Sequence, residues 1–482
     1  MNIFQWMWRQ LTSMRTALIL LMMLGLASIP GSLFPQRNQN PMKVTEFFKA
    51  NPTLAQWLDK AKIFDVYSSP WFSAIYILLF ISLIGCVLPR SIEHAKAIGK
   101  KPPLTPKFLE KMEGFTEVDR PAEGALDDAE RWLKKNRFRV RRKDGSISAE
   151  KGYSRETGNL LFHLSLIVIL FAVAAGGLYG SKGETILNVG DRFINTPTSY
   201  DNISFAKFQR EGDMVPFSLR ILDFKASYDV VTSAPTDYTL KVAAANPLGS
   251  KEVLKTIKVN SPLTYGSTKV YLQANGYSPV VAVRDKSGKL IFEGPVTFLP
   301  QDANLTSIGA IKLPDMSPQI GMVSSFLPTA ARSAKRGAFS SFPEVLDPRL
   351  LVSVWMGDLG LDSGNPQSVY RVDTSKMKNI GLKALSIGDV YNFGQGTITF
   401  EGYRSWVNLQ IVDDPGKMYA LVGAILAILG LLTSLFTRQR RIWIKVDGRV
   451  QIAGLAKNGV PGLDEELLSL EKALLKNDEK GL

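Results

Sequence analysis

Apolar and charged positions fall in long blocks along this chain. Residues 16–36 (21 residues), 66–89 (24), 157–181 (25) and 418–437 (20) carry no formally charged side chain. A helix rises 1.5 Å per residue, so about 20 apolar residues cross a bilayer core. Each window therefore predicts a membrane-spanning helix. Arg9 and Arg15 precede the first window as they would a signal peptide. Its apolar run is long, however, and no small-residue cleavage motif follows, so it reads as an uncleaved first helix.

Between the third and fourth windows the period changes to two. FSLRILDF, YTLKVAA, TIKVN, TKVYLQA, VVAVRD, KLIFEG, RLLVSVWM and TITFEGY are separated by turn residues, with no long amphipathic helix among them. The predicted fold is thus a polytopic α-helical membrane protein with four spans and a large extracytoplasmic all-β, sandwich-like domain over residues 182–417. LNVGD at 187–191, followed by ISFAKF, resembles LSIGD at 385–389, followed by ITFEGY. Either the domain contains a duplication, or the two Gly-Asp pairs are ordinary turns between strands. Residues 301–343 are rich in Pro, Ser and Ala and read as a long irregular excursion.

The remaining segments are short. Residues 1–36 hold an N-terminal arm, with Trp6 and Trp8 suited to a membrane interface, and the first span. In the outer loop, 37–65, Val44, Phe47 and Phe48, then Leu54, Trp57 and Leu58, recur at helical spacing. They predict a helical hairpin that lies on the outer leaflet or packs on the large domain. The second span is 66–89. The loop 90–156 predicts a helix over 125–137 and a hairpin around Asp144-Gly145; the tail 438–482 predicts a matching hairpin around Asp447-Gly448 and a helix over 463–475. An isolated hairpin is marginal, so the two are expected to pair into one sheet that ties the third span, 157–181, to the fourth, 418–437.

Charge sets the expected direction. The net charge is +14. Residues 1–15, 90–156 and 438–482 hold 28 Lys and Arg in 127 positions, against 30 in 265 for residues 37–65 and 182–417. The denser segments belong inside, so both termini and the 90–156 loop are expected in the cytoplasm. The basic balance then reflects topology and contact with membrane lipid rather than nucleic acid.

Candidate chemistry is sparse. The chain has one cysteine, Cys86, and two histidines, His94 and His163, all outside the β domain. That excludes a disulfide framework, a C-x-x-C-H attachment site and a structural zinc site within this chain. No phosphate loop, nucleophile elbow or dinucleotide fingerprint is present, so no catalytic residue is singled out. Cys86, inside the second span, reads as a small apolar residue, and His94 in SIEHAK as an ordinary solvated one. His163 lies in the first turns of the third span, where an ionisable group is costly and marks function. Its helical face holds Leu160, Ile167, Leu170, Ala174 and Gly177; a small-residue ridge, Ala172, Gly176 and Gly180, lies opposite. An imidazole there suits an axial ligand for haem iron or a hydrogen bond to a neighbouring helix.

Three stretches bear a resemblance. GNLLFHLSL at 158–166, VNSPLTYGSTKVYLQANGYSPVV at 259–281 and DDPG at 413–416 resemble the ResB (CcsB) family of cytochrome c biogenesis, System II, in its actinobacterial form. The likeness runs over essentially the whole chain. It implies a subunit that handles haem b as cargo beside a separate ResC/CcsA-like membrane protein. The two deliver haem outward for thioether attachment to apocytochrome c, the large domain serving as a platform for the apocytochrome. The family's membrane histidine maps onto His163 as the candidate haem ligand, the only metal being haem iron. Haem-lyase activity is then expected of the complex rather than of this chain alone. The competing expectation is a membrane-anchored extracytoplasmic sensor, which would need a larger cytoplasmic output module than residues 90–156 and 438–482 provide.

Overall fold

The computed structural model describes residues 2–39, 41–112, 114–361, 368–456 and 462–478. The chain divides into two compact units, residues 1–175 with 416–482, and residues 176–415.

Among the described residues four helices are long and apolar enough to span a membrane, Met14–Leu33, Pro70–Ile98, Ser154–Tyr179 and Lys417–Phe436, and all but the last turn of the third belong to the first unit. The second span is longer than its uncharged window. Ser69 caps it, accepting from the Phe72 amide at 3.3 Å, and Pro70 fills the first turn, where a missing N–H costs nothing. At the other end it runs through Pro89 and Arg90 to Ile98, because Pro89 removes one backbone bond without ending the helix. A short amphipathic helix, Ile3–Leu11, precedes the first span; the Ser82 hydroxyl of the second span donates to its Leu11 carbonyl at 2.5 Å.

Residues 37–65 contain the expected helical hairpin, Pro41–Ala50 and Pro52–Lys60. It closes on itself: Val44, Ala55 and Phe64 are buried, with Phe34, Phe47, Phe48 and Leu58 against them. Arg37 bridges Asp59 and Asp65 beneath this cluster. Leu54 and Trp57 stay 52% and 67% exposed, an apolar patch of the kind that seats at an interface.

The two predicted hairpins do pair. A five-stranded antiparallel sheet runs in the order Thr116–Val118, Arg449–Ala456, Arg440–Asp447, Ser146–Lys151, Arg139–Lys143. Ile444 stands opposite Ile147, and Ile442 opposite Ala149. Positive φ at Asp144 (47°) and Gly145 (67°) gives the first turn the twist a two-residue hairpin needs. Helices Ala125–Lys135 and Leu463–Asp478 pack on the sheet through Leu133, Leu467, Leu470 and Leu474.

The second unit is all antiparallel β. Its spine is one ribbon, Thr268–Asp285 against Gly396–Asp413, with Thr268 opposite Asp413 and Asp285 opposite Gly396. TKVYLQA and VVAVRD, expected as separate strands, are halves of the first of these. The ribbon serves two cores. One half (Val281, Val283, Ile398, Phe400) packs with Phe298 and with Met322, Phe326 and Leu350 of a five-stranded sheet. The other half (Val270, Val407, Leu409, Ile411) packs with Phe217 and with Leu219, Leu240 and Val242 of a four-stranded sheet. Trp406 sits against Gly276 near the middle, its indole N–H donating to the Phe298 carbonyl at 3.0 Å.

Two expectations need correction. Residues 301–343 are not irregular: Ser307–Leu313, Ile320–Leu327, Ala330–Ser333 and Gly337–Ser340 are strands, and the first two lie inside the five-stranded sheet. The repeated motif is real as local geometry but was matched to the wrong strand. Gly190 N–H donates to the Ile221 carbonyl (2.9 Å), and Ile221 N–H to that of Asp191 (2.9 Å). Gly388, Phe400 and Asp389 repeat this at 2.7 and 3.1 Å. Each aspartate also accepts from the amide three residues back, Asn188 or Ser386, at 2.8 Å. The partner of LNVGD is therefore the strand through Ile221; ISF at 203–205 pairs instead with Ser181–Gly183. The glycines, at φ 104° and 90°, hold the backbone conformation that favours this residue.

Candidate functional site

The third span, Ser154–Tyr179, presents different faces to different neighbours. Toward the fourth span it offers Gly158, Phe162, Ser165 and Ile169, which meet Gly423 and Gly430 at backbone distance. Without a hydrophobic force between helices in lipid, such close approach is what holds them together. The expected small-residue ridge is used as well: a Cβ on Gly176 would lie 2.6 Å from the Asp414 carboxylate, and one on Gly180 would lie 2.8 Å from the Asp413 carbonyl. Toward the second span the face is Leu164, Ile167 and Leu170, packed on buried Leu83, Cys86 and Val87. The Tyr76 hydroxyl donates to the Leu170 carbonyl across this seam. Cys86 fills the seam as a small buried side chain.

His163 is half-buried beside that second face. Its Nδ1 lies 2.7 Å from the Asn159 carbonyl oxygen, one turn back. A carbonyl only accepts, so Nδ1 is the donor, which leaves Nε2 as the nitrogen free to carry a lone pair. Among the described residues nothing hydrogen-bonds Nε2. Phe162 stands edge-on to the imidazole at 5.2 Å, and Leu160 is buried three residues back on the same face. An imidazole with one nitrogen fixed by a backbone carbonyl and the other bare, among apolar side chains, has the form of an axial ligand to a flat metalloporphyrin. The ring's hydrogen bond is made within its own helix, not to the neighbouring helix that the alternative expectation required.

His94 is not the solvated residue expected. The extended second span carries it to the base of the third, where its Nε2 lies 2.9 Å from the Thr157 hydroxyl. Its ring stacks on Tyr153 at 5.1 Å and 14°, and Arg139 lies 5.2 Å from the centroid of the Tyr153 ring. Arg139 also donates to the Ile98 carbonyl at 2.9 Å, fixing the end of the second span. These contacts join residues about 60 positions apart, and no spacing rule reveals them. Among the described residues no group of three or more His, Cys, Asp and Glu could hold a metal ion.

The chain is similar to known proteins along nearly its whole length. The sequence model of the ResB-like family matches residues 14–468. The cytochrome c biogenesis protein CcsB of Gloeobacter violaceus is 25% identical over 481 residues, covering 96% of this chain and 90% of its own. CcsB of Synechococcus sp. (strain WH7803) is 25% identical over 474 residues, covering 95% and 96%. The cytochrome c biogenesis protein Ccs1 of Rhodomonas salina is 23% identical over 477 residues, covering 96% of each. With a match that takes in all four spans, the small sheet and the β unit, the chain belongs to the ResB-like family.

Proposed function

We propose that this chain is the ResB-type subunit of a cytochrome c biogenesis complex, and that it holds haem b, its cargo, through His163 while haem passes outward to apocytochrome c. The observation that carries the reading is the imidazole with Nδ1 committed to Asn159 and Nε2 bare, set in a spanning helix. His163 binds and orients the iron, and the apolar side chains of Leu160 and Phe162 flank the ring. A second axial ligand comes from a ResC/CcsA-like partner. Both termini and the small sheet lie in the cytoplasm, and the β unit lies outside as the surface on which the apocytochrome is received.

The full chain co-purified with its partner is expected to show a Soret band. His163→Gly should weaken that band, added imidazole should restore it, and His163→Ala should abolish c-type cytochromes while the protein still reaches the membrane. Normal cytochrome c maturation in His163→Ala cells would overturn the assignment.

A further inference from the structure

The second span contributes more to the proposed haem position than the packing of Leu83, Cys86 and Val87. Residues 83, 87, 90 and 94 step by four, three and four, which is one stripe along a helix. The upper part of that stripe touches the third span at Leu164, Ile167 and Leu170, and its lower end touches Thr157 through His94. Between these contacts lies Arg90, which therefore faces the same seam. The helices run antiparallel, with His94 level with Thr157 and the cluster of Leu83, Cys86 and Val87 packed against Leu164, Ile167 and Leu170. At 1.5 Å per residue, Arg90 comes within about one turn, ~5 Å, of the height of His163.

Arg90 is an exposed side chain, although its neighbours on the stripe, Leu83 and Val87, are buried. The seam is thus closed at Cys86 and Val87 and open at Arg90 and His163. Among the described residues Arg90 makes no hydrogen bond and no ion pair. Glu93 and Glu156 are the acidic groups on the adjoining turns, and neither is bonded to it. An exposed guanidinium whose Cα lies on the seam stripe, near the height of a bare imidazole nitrogen, has a fork for a carboxylate that no described residue fills. Haem carries two carboxylates on one edge of an otherwise apolar plane.

Resting on the haem reading of His163, we propose that Arg90 is a positioning residue that pairs with a haem propionate and sets the porphyrin edge-on in the seam, with its iron toward His163 Nε2. Two contacts then fix the plane, one at the iron and one at the carboxylate edge. Arg90 also explains why a positive charge stands on the packed stripe of the second span instead of on a lipid-facing side.

The test uses the full chain with its partner, loaded with haem or with haem dimethyl ester, which keeps the iron and the ring but has no ionisable carboxylate. The wild type should bind haem about tenfold more tightly than the ester, the size of one charge-assisted hydrogen bond. Arg90→Gln should erase that preference by weakening haem and sparing the ester, with the Soret position unchanged because the axial ligands are intact. Arg90→Lys should keep most of the preference. A wild type that takes both porphyrins equally, or an Arg90→Gln complex that still prefers haem, overturns the proposal. Failure of the His163 reading looks different: His163→Gly would leave the Soret band unaltered and insensitive to imidazole, whatever Arg90 does.

Discussion

Gly158 of the third span and Gly430 of the fourth meet with no side chain between them: a Cβ on Gly158 would lie 2.7 Å from the Gly430 carbonyl oxygen, and one on Gly430 would lie 2.6 Å from the Phe162 amide nitrogen. The obstruction on each side is backbone, which cannot swing away. Gly430→Val should therefore separate the two spans at a cost of about 1–3 kcal/mol. Thermal unfolding of the full chain in detergent reads that loss. Gly25→Val in the first span, where nothing lies within 4 Å, is the control and should leave the transition in place.

Arg120 and Asp128 form the buried ion pair of the small sheet unit. They are 2.6 Å apart, with side chains 5% and 8% exposed, and Arg120 also donates to the Leu474 carbonyl of the last helix at 2.8 Å. Asp128→Ala leaves the guanidinium buried without its carboxylate, which costs about 3–5 kcal/mol. Asp127→Ala removes an exposed partner of Arg142 and should cost about 0–1 kcal/mol. Hydrogen exchange at Ile147, Ile442 and Ile444 compares the two. Equal protection in both variants would show that the buried pair does not hold the last helix to the sheet.

How much of this was legible beforehand depends on the kind of contact. The spans, the two Asp-Gly hairpins and their pairing followed from local pattern, because a hairpin with one apolar face has to bury it, and the other hairpin was the matching surface. The long ribbon was not visible as one element, since Gly276 and Pro279 read as a break. They fall beside bulges in a strand that stays paired throughout. Residues 301–343 misled for a related reason: their Pro and Ser content masks Ile311, Met322 and Phe326, which are buried in the core. His163 stood out as an ionisable group in a span, and the Asn159 carbonyl one turn back was within reach of the same spacing argument. The surroundings of His94 and Arg90 were not, because they depend on how two antiparallel helices are set against each other.

Three tyrosines of the β unit make it sensitive to alkali. Burial raises Tyr228 to about 12, and pushes Tyr200 and Tyr277 up as well. The folded state favours the neutral phenol, so its contribution is complete below the ordinary tyrosine value of about 10. It falls as pH rises from there through about 12 for Tyr228. Phenolate absorbance should lag behind that of free tyrosine and then rise together with unfolding. The Tyr228 oxygen is buried without a hydrogen-bond partner of good geometry, Asn275 and Tyr238 being its polar neighbours. Tyr228→Phe should therefore change neutral-pH stability by less than about 1 kcal/mol and reduce the alkaline loss. Tyr277→Phe gives up a 3.1 Å bond to the Pro343 carbonyl and should cost about 1 kcal/mol at neutral pH.

The orientation of the chain can be tested through its cysteine content. Cys86 is the single cysteine, and Cys86→Ala should cost little because it removes one sulfur from a seam otherwise closed by leucine and valine. Into that background a cysteine can be placed at Lys143, exposed at the end of a strand of the small sheet, or at Ser287, in the exposed turn after Asp285. Basic residues are about twice as dense in residues 1–15, 90–156 and 438–482 as elsewhere outside the spans, and short loops follow that bias. A membrane-impermeant thiol reagent applied to intact cells should label Ser287→Cys and reach Lys143→Cys only after permeabilisation. The reverse pattern would put His163 and Arg90 near the outer leaflet, and haem would then meet this chain from outside the cell instead of from within it.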